Sequence, residues 1–261
     1  MMNYELNIRV GEDSLSFSTA DLSAKEKVVF EPYELNGSIS IAANLREAFK
    51  TSPLLGRGYQ RATVLVDAPV MLVPMDDFAK NDMEMLYDHT FKGHESDIKM
   101  SCAVPDLHIM AVFPVGKDLR TVIQDHFTEV RFLSACMPVW KRMNFRSHTG
   151  MNRKLYGYFH NKKLEMMSFA QNHLKFCNTF NAAHAHDALY YLLYVWEQLG
   201  YSQEKDELHL VGDIPDSEWL MERLHQFVQR VYVINPTTDL GDAAITQIKG
   251  MPYDLMAYYK Q

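Results

Sequence analysis

The chain has 261 residues, 47% of them hydrophobic and 23% charged, and a formal net charge of −7. A globular chain of this length buries roughly 70 to 75% of the surface its unfolded form exposes, so it needs no disulfide or metal staple. The acidic balance excludes a general role on the phosphate backbone of nucleic acid, where affinity comes from lysines and arginines that release counterions.

Met1–Val10 carries Glu5 and Arg9 and lacks the apolar stretch of a signal peptide. Glu5–Val10, Leu15–Ser18 and Lys27–Glu31 read as strands, the first two joined by Gly11-Glu12-Asp13. A helix from about Ser38 to Lys50 precedes strands at Arg61–Val66 and Val70–Val73 and a helix from Asp76 to about Tyr87. Ile98–Val104 and His108–Phe113 form a hairpin that reads as an insertion carried by the first half. Asp118–His126 is a helix, and Glu129–Leu133 leads into another that runs to about Met143. The polar stretch Ser147–Asn152 separates the halves, giving regions 1–147 and 148–261.

In the second half, Leu155–His160, Leu164–Ala170 and Leu174–Phe180 read as an antiparallel meander turned at Asn161-Lys162 and Asn172-His173, because asparagine tolerates positive φ. Ala182–Leu199 is a buried helix stopped by Gly200, and Leu208–Val211 is a short strand ending at Gly212. Asp213–Asp216 offers caps for a helix whose Trp219, Leu220, Leu224, Phe227 and Val228 share a face. Val231–Ile234 is a strand stopped by Asn235-Pro236, and Gly241 stands where a late helix would start. The element order β-β-β-α-β-α-β is ribonuclease H-like, and the first half repeats it with more noise. The fold class expected is therefore α/β, with two such halves.

The leading strand pair, Leu-Arg-Glu-Ala-Phe at Leu45–Phe49, Leu-Val-Pro at Leu72–Pro74, and the run of eight residues that starts at His186-Asp187 resemble a bacterial domain-of-unknown-function family, number 3822. The resemblance covers nearly the whole chain. It implies an actin-like ATPase fold, two ribonuclease H-like halves facing a cleft, with no established activity.

The chemistry of such a fold needs a carboxylate at the end of the first strand of each half to position the waters of a magnesium ion, and glycines that admit phosphate against backbone N–H groups. Aligned on Gly11, the expected acid is Arg9. A divalent cation ~5 Å from a guanidinium at an effective dielectric of ~20 meets repulsion of several kcal/mol. Asp13 is nearby in the turn. The matching strand of the second half, Lys154–His160, has no acid, and its turn has no glycine. Leu210-Val211-Gly212-Asp213 keeps one of the paired glycines that admit a nucleoside and replaces the other with an acid. Arg9, Gly11, Asp13, Gly212, Asp213 and Gly241 are thus the candidate remnants of a degenerate nucleotide cleft, without catalytic residues; ordinary turns and caps are the commoner reason for such glycines. A ribonuclease H-type nuclease is disfavoured by the same missing acids.

His184, His186 and Asp187 are the densest group of metal-ligand types, but Asp187 at a helix start and two loop histidines account for them, and no tightly held zinc is expected. Cys102, Cys136 and Cys177 lack any C-x-x-C spacing and read as buried hydrophobes of a reducing compartment. Lys141, Arg142, Arg146, Arg153 and Lys154 form a basic run without an acid, either a solvated linker or an anion-binding strip. No apolar run approaches the roughly eighteen residues of a membrane span. The expectation is a cytoplasmic, non-catalytic scaffold that binds a protein partner, compatible with homodimerisation, without nucleic acid, membrane span or cofactor. The alternative is a nucleotide-binding switch without efficient hydrolysis, in which Arg9 or the basic run contacts phosphate; ATP with magnesium is not supported by the residues.

Overall fold

Alternation of apolar and polar residues sets the architecture. In the computed structural model, which describes residues 5–21, 27–170, 173–241 and 243–260, the chain begins with β1 (Glu5–Val10), β2 (Leu15–Asp21) and β3 (Lys27–Tyr33). Then come α1 (Ile41–Thr51), β4 (Arg61–Val66), β5 (Met71–Pro74), α2 (Lys80–Thr90), β6 (Ile98–Val104), β7 (Ile109–Val115), α3 (Lys117–His126) and β8 (Glu129–Ser134). α4 (Met137–Ser147) leads to β9 (Lys154–His160), β10 (Lys163–Ala170), β11 (His173–Asn181), α5 (Ala185–Gln198), β12 (Glu207–Gly212), α6 (Ser217–Leu224) and β13 (Val231–Val233). Three short helices close the chain: α7 (Pro236–Leu240), α8 (Ala243–Thr246) and α9 (Tyr253–Tyr258). The turn residue Asn172, and Asp242 beside Gly241, lie outside the described residues.

The chain divides into two compact units, Met1–Met137 with Gln247–Met251, and Pro138–Thr246 with Pro252–Gln261. Nearly all of α4 therefore groups with the second unit.

In the first unit the sheet order is β3-β2-β1-β4-β8, with β1, β4 and β8 parallel. Glu129–Ser134 is its fifth strand rather than a mere lead-in to a helix. The insertion is larger than a hairpin: β5, read from sequence as a member of the main series, pairs with β7 in a separate sheet β5-β7-β6. Tyr87 of α2 anchors that sheet, packing on Val112 while its hydroxyl donates to Pro69 O at 2.7 Å. The helix begins at Lys80, not Asp76, because Met75–Asp77 forms a 3-10 turn before it. Ser40 caps α1 through Ala43 N–H, and α1 and α3 pack together, with the Phe49 ring stacked on His126 at 3.6 Å.

The second unit repeats the frame as β11-β10-β9-β12-β13. One sheet face carries Leu155, Phe159, Leu164, Leu208 and Leu210 against Leu192, Trp196 and Leu220 of α5 and α6. Gly157 belongs to this face, since a Cβ there would stand 3.0 Å from Leu210 and 3.1 Å from Leu164. α5 ends as the sequence indicates. Gly200, at φ 61°, donates to Glu197 O and Tyr201 N–H reaches Trp196 O, a Schellman closure. α6 stops earlier than its apolar spacing suggests, so Phe227 lies beyond it and is exposed, while Val228 is buried.

Candidate functional site

In the first unit, Leu6, Ile8 and Val10 occupy one face of β1, which leaves Asn7 and Arg9 on the other. Arg9 is buried and its Nη2 lies 3.2 Å from Asp67 Oδ2, at the C-terminal end of β4; Nη1 lies 3.2 Å from the Ser14 hydroxyl. Gly11 N–H donates to Ser14 O at 2.8 Å to close the β1–β2 turn, and Asp13 projects into solvent. The guanidinium is thus an internal partner of a buried carboxylate.

In the second unit, Asn161 and Lys162 both have positive φ, 45° and 60°, and His160 pairs directly with Lys163. A two-residue turn of this kind joins β9 to β10 by the shortest route. Gly212, at φ 94°, pairs with Phe159, and an added Cβ would sit 2.1 Å from Phe159 O. Its lack of a side chain is required by the chain's own neighbouring strand. Asp213 is exposed and its N–H donates to Phe159 O at 3.0 Å. Gly241 ends α7 in the left-handed region at φ 63° instead of starting a helix, so its glycine serves as a C-cap.

His184 is the N-cap residue of α5, and Asp187 lies in its first turn; His186 packs its ring on Trp219 at 4.2 Å. All three side chains are exposed.

Four cations of the basic run, Arg142, Arg146, Arg153 and Lys154, have partners in the second unit and form neither a solvated linker nor an open strip. Arg142 Nε lies 3.0 Å and Arg146 Nη1 2.5 Å from the Asp239 carboxylate, Arg153 binds Asp206 at 2.6 Å, and Lys154 Nζ donates to the carbonyls of Arg146 and Thr149. Lys154 lies on the face of the second sheet opposite the leucines, and Arg142 and Arg146 reach Asp239 from α4. Burial alone would raise the Asp239 pKa, but hydrogen bonds from Arg142 and from Tyr253, whose hydroxyl is 2.6 Å away, hold the carboxyl below its usual range. On β12, Glu207 accepts from His209 Nε2 and from Asn152, both at 2.9 Å. Burial keeps His209 below the usual imidazole range against the pull of Glu207. Beside them opens a cavity of about 370 Å³, walled by Arg146, Glu207, His209 and Asp239 on one side and by Tyr232, Ile234 and Thr238 near the sheet edge.

A family described as a protein of unknown function (DUF3822) matches residues 1–231. The chain belongs to that family. A Bacteroides thetaiotaomicron VPI-5482 protein, described as having an actin-like ATPase fold and unknown function, is 28% identical, with a TM-score of 0.82 over 95% of this chain and 96% of its own. A chain of a PilM-PilN type IV pilus biogenesis complex is 9% identical, with a TM-score of 0.63 over 98% of both chains. This DUF3822 member thus has the actin-like ATPase fold, as the resemblance implied. Comparison with curated proteins gives no match. No helix among the described residues is long and apolar enough to cross a membrane.

Sequence reading overlooked Asp67, Asp239, Glu207 and His209. For the last two a signal existed: in Glu207-Leu208-His209-Leu210 the leucines face α5 and α6, so alternation sends Glu207 and His209 to the other face. Asp67, directly after the buried run Ala62–Val66, was a comparable flag for a carboxylate at a strand end.

Proposed function

We propose that this DUF3822 protein is a non-catalytic scaffold whose actin-like frame holds a protein partner. The observation that carries the reading is the buried Arg9–Asp67 pair. A cation stands where a magnesium-binding relative needs an acid, and the nearest buried acid is already neutralised by it. A metal ion there would meet repulsion of roughly 7 kcal/mol from the guanidinium at ~5 Å and an effective dielectric of ~20. In the second unit, the two-residue turn after β9 and the packing of Gly212 on Phe159 support the same view, because neither leaves a loop to wrap a phosphate. The cytoplasm fits a chain with three free cysteines. The solved neighbour from a PilM-PilN complex is an instance of this fold in a two-protein assembly.

The nucleotide-switch alternative loses its two named contacts, since Arg9 and most of the basic run are engaged internally. Thermal stability measured with and without millimolar ATP or GTP separates the readings. A ligand at a hundredfold its dissociation constant stabilises the fold by about 2.7 kcal/mol, and the scaffold reading expects no shift. Magnesium-dependent ATP turnover above the buffer rate would overturn the scaffold reading.

A further inference from the structure

α5 buries Ala188, Leu192, Val195 and Trp196 in the core of the second unit, which leaves Asp187, Tyr190, Tyr194 and Glu197 exposed. These four stand at i, i+3, i+7 and i+10, so they follow one another along a single outward stripe of the helix. Tyr190 and Tyr194 are 62% and 47% exposed, and their rings are parallel to within 10°, with centroids 6.0 Å apart. Neighbouring rings support the stripe: Tyr191 stacks on Phe180 of β11 at 4.5 Å and meets Tyr190 edge-on at 5.2 Å. Large rings that are both supported and exposed suit an interface anchor, because little side-chain freedom is lost when a partner covers them.

The chain itself shows what such rings take. Arg153 lies over the Tyr201 ring at 4.5 Å while it binds Asp206 at 2.6 Å. Arg142 lies over Phe145 at 5.4 Å while it binds Asp239 at 3.0 Å. In both places one ring and one carboxylate share an arginine. The same two components recur on α5, with Asp187 one turn before Tyr190 and Glu197 one turn after Tyr194. Here the cation is missing. Among the described residues no arginine or lysine lies over either tyrosine, and neither carboxylate has a cationic partner. Arginine fits this set better than lysine, since its planar guanidinium stacks on a ring and still presents N–H groups to a carboxylate. The 6.0 Å between the rings also matches side chains two residues apart on an extended chain, which are separated by about 6.6 Å.

We propose that the α5 stripe docks a partner protein through an Arg-X-Arg segment, one guanidinium lying on each tyrosine and pairing with Asp187 or Glu197. The proposal rests on the partner-binding reading above and names its surface and the chemistry of the partner.

The test titrates the full chain by calorimetry with the blocked peptide acetyl-Ala-Arg-Ser-Arg-Ala-amide, and with versions in which both arginines are replaced by lysine or by citrulline. Lysine keeps the charge without the plane, and citrulline keeps the plane without the charge. The arginine peptide is expected to saturate, and each replacement to bind at least about fivefold more weakly. Tyr190→Leu should weaken the arginine peptide by at least about fivefold, whereas Tyr190→Phe, which keeps the ring, should stay within about twofold of the wild type. Circular dichroism confirms that each variant is folded. Absence of saturation, a lysine or citrulline peptide as tight as the arginine one, unchanged affinity in Tyr190→Leu, or an equal loss in Tyr190→Phe overturns the proposal. So does a dimer in sedimentation that Tyr190→Leu separates, since the face would then belong to a second copy of the chain. Magnesium-ATP turnover measured on the same preparation keeps the two readings apart: turnover sinks the scaffold reading whatever the peptides do, and failure of the peptides without turnover sinks this site alone.

Discussion

The two five-stranded sheets have the same neighbour order, yet they fill the polar face of the leading strand differently. In the first unit, Arg9 and Asp67 form one buried ion pair at the strand ends. In the second, the corresponding face carries aromatic rings and a branching network: Trp140 donates to Glu165, Tyr158 to Asp254, and Asp239 gathers Arg142, Arg146 and Tyr253. The leucine-rich opposite face of the second sheet packs on α5 and α6 as the frame demands. Element order is thus held by the apolar face, and each unit has specialised on the other. The second also borders a cavity, walled by Arg146, Glu207, His209 and Asp239.

The largest effect expected from breaking this comparison is at Asp239. Its side chain is 1% exposed and neutralises two guanidinium groups. Asp239→Ala leaves both without their carboxylate and Tyr253 without its acceptor. The loss should approach 5 kcal/mol, the upper end for breaking a buried pair from one side. Urea unfolding followed by circular dichroism measures it; a loss under about 1 kcal/mol would mean that solvent already screens the cluster.

The first unit should respond less, because one pair is at stake. Arg9→Ala removes the guanidinium from beside the buried Asp67 carboxylate and should cost about 3 kcal/mol. The double variant Arg9→Met, Asp67→Leu removes both charges and keeps the volume, so it should recover most of that loss. A double variant no more stable than the single one would show that the ion pair is not what Arg9 contributes to stability.

The contrast also explains what could be read from sequence. Apolar periodicity and turn residues gave the element order, since they act over a few neighbouring residues: Asn161-Lys162 and Gly200 are examples. Arg9 stood out because, aligned on Gly11, it occupies the strand-end position where an acid is expected. The partners did not stand out. Asp67 is 58 residues from Arg9, and Asp239 is 97 from Arg142, so each pairing exists only after folding. The basic run looked unpaired for the same reason, its acids lying far along the chain. Phe227 misled because helical spacing was extended past the point where α6 ends. The cavity had no local signature, being assembled from α4, β12, β13 and α7.

The smallest effect is a pH dependence that belongs to the second unit alone. His209 faces Glu207 on its own strand, Lys154 and Tyr156 on β9, Arg146 from α4 and Tyr232 on β13. Burial holds its imidazole below the ordinary value near 6.5. As pH falls below that value, the unfolded chain takes up a proton that the folded chain declines. Stability therefore falls with pH, by no more than ~1.4 kcal/mol per unit for one proton, until the folded value is reached. Glu207 and Asp239 have lowered folded values, so their contributions are full above ordinary carboxylate values and fade only as pH drops through the folded ones. Between pH 6.5 and 5 the imidazole is therefore the member of this cluster that titrates. Unfolding free energies of the wild type and His209→Phe, compared from pH 7 to 5, should diverge in slope, the variant being flatter. Parallel slopes would mean that His209 takes its proton inside the fold.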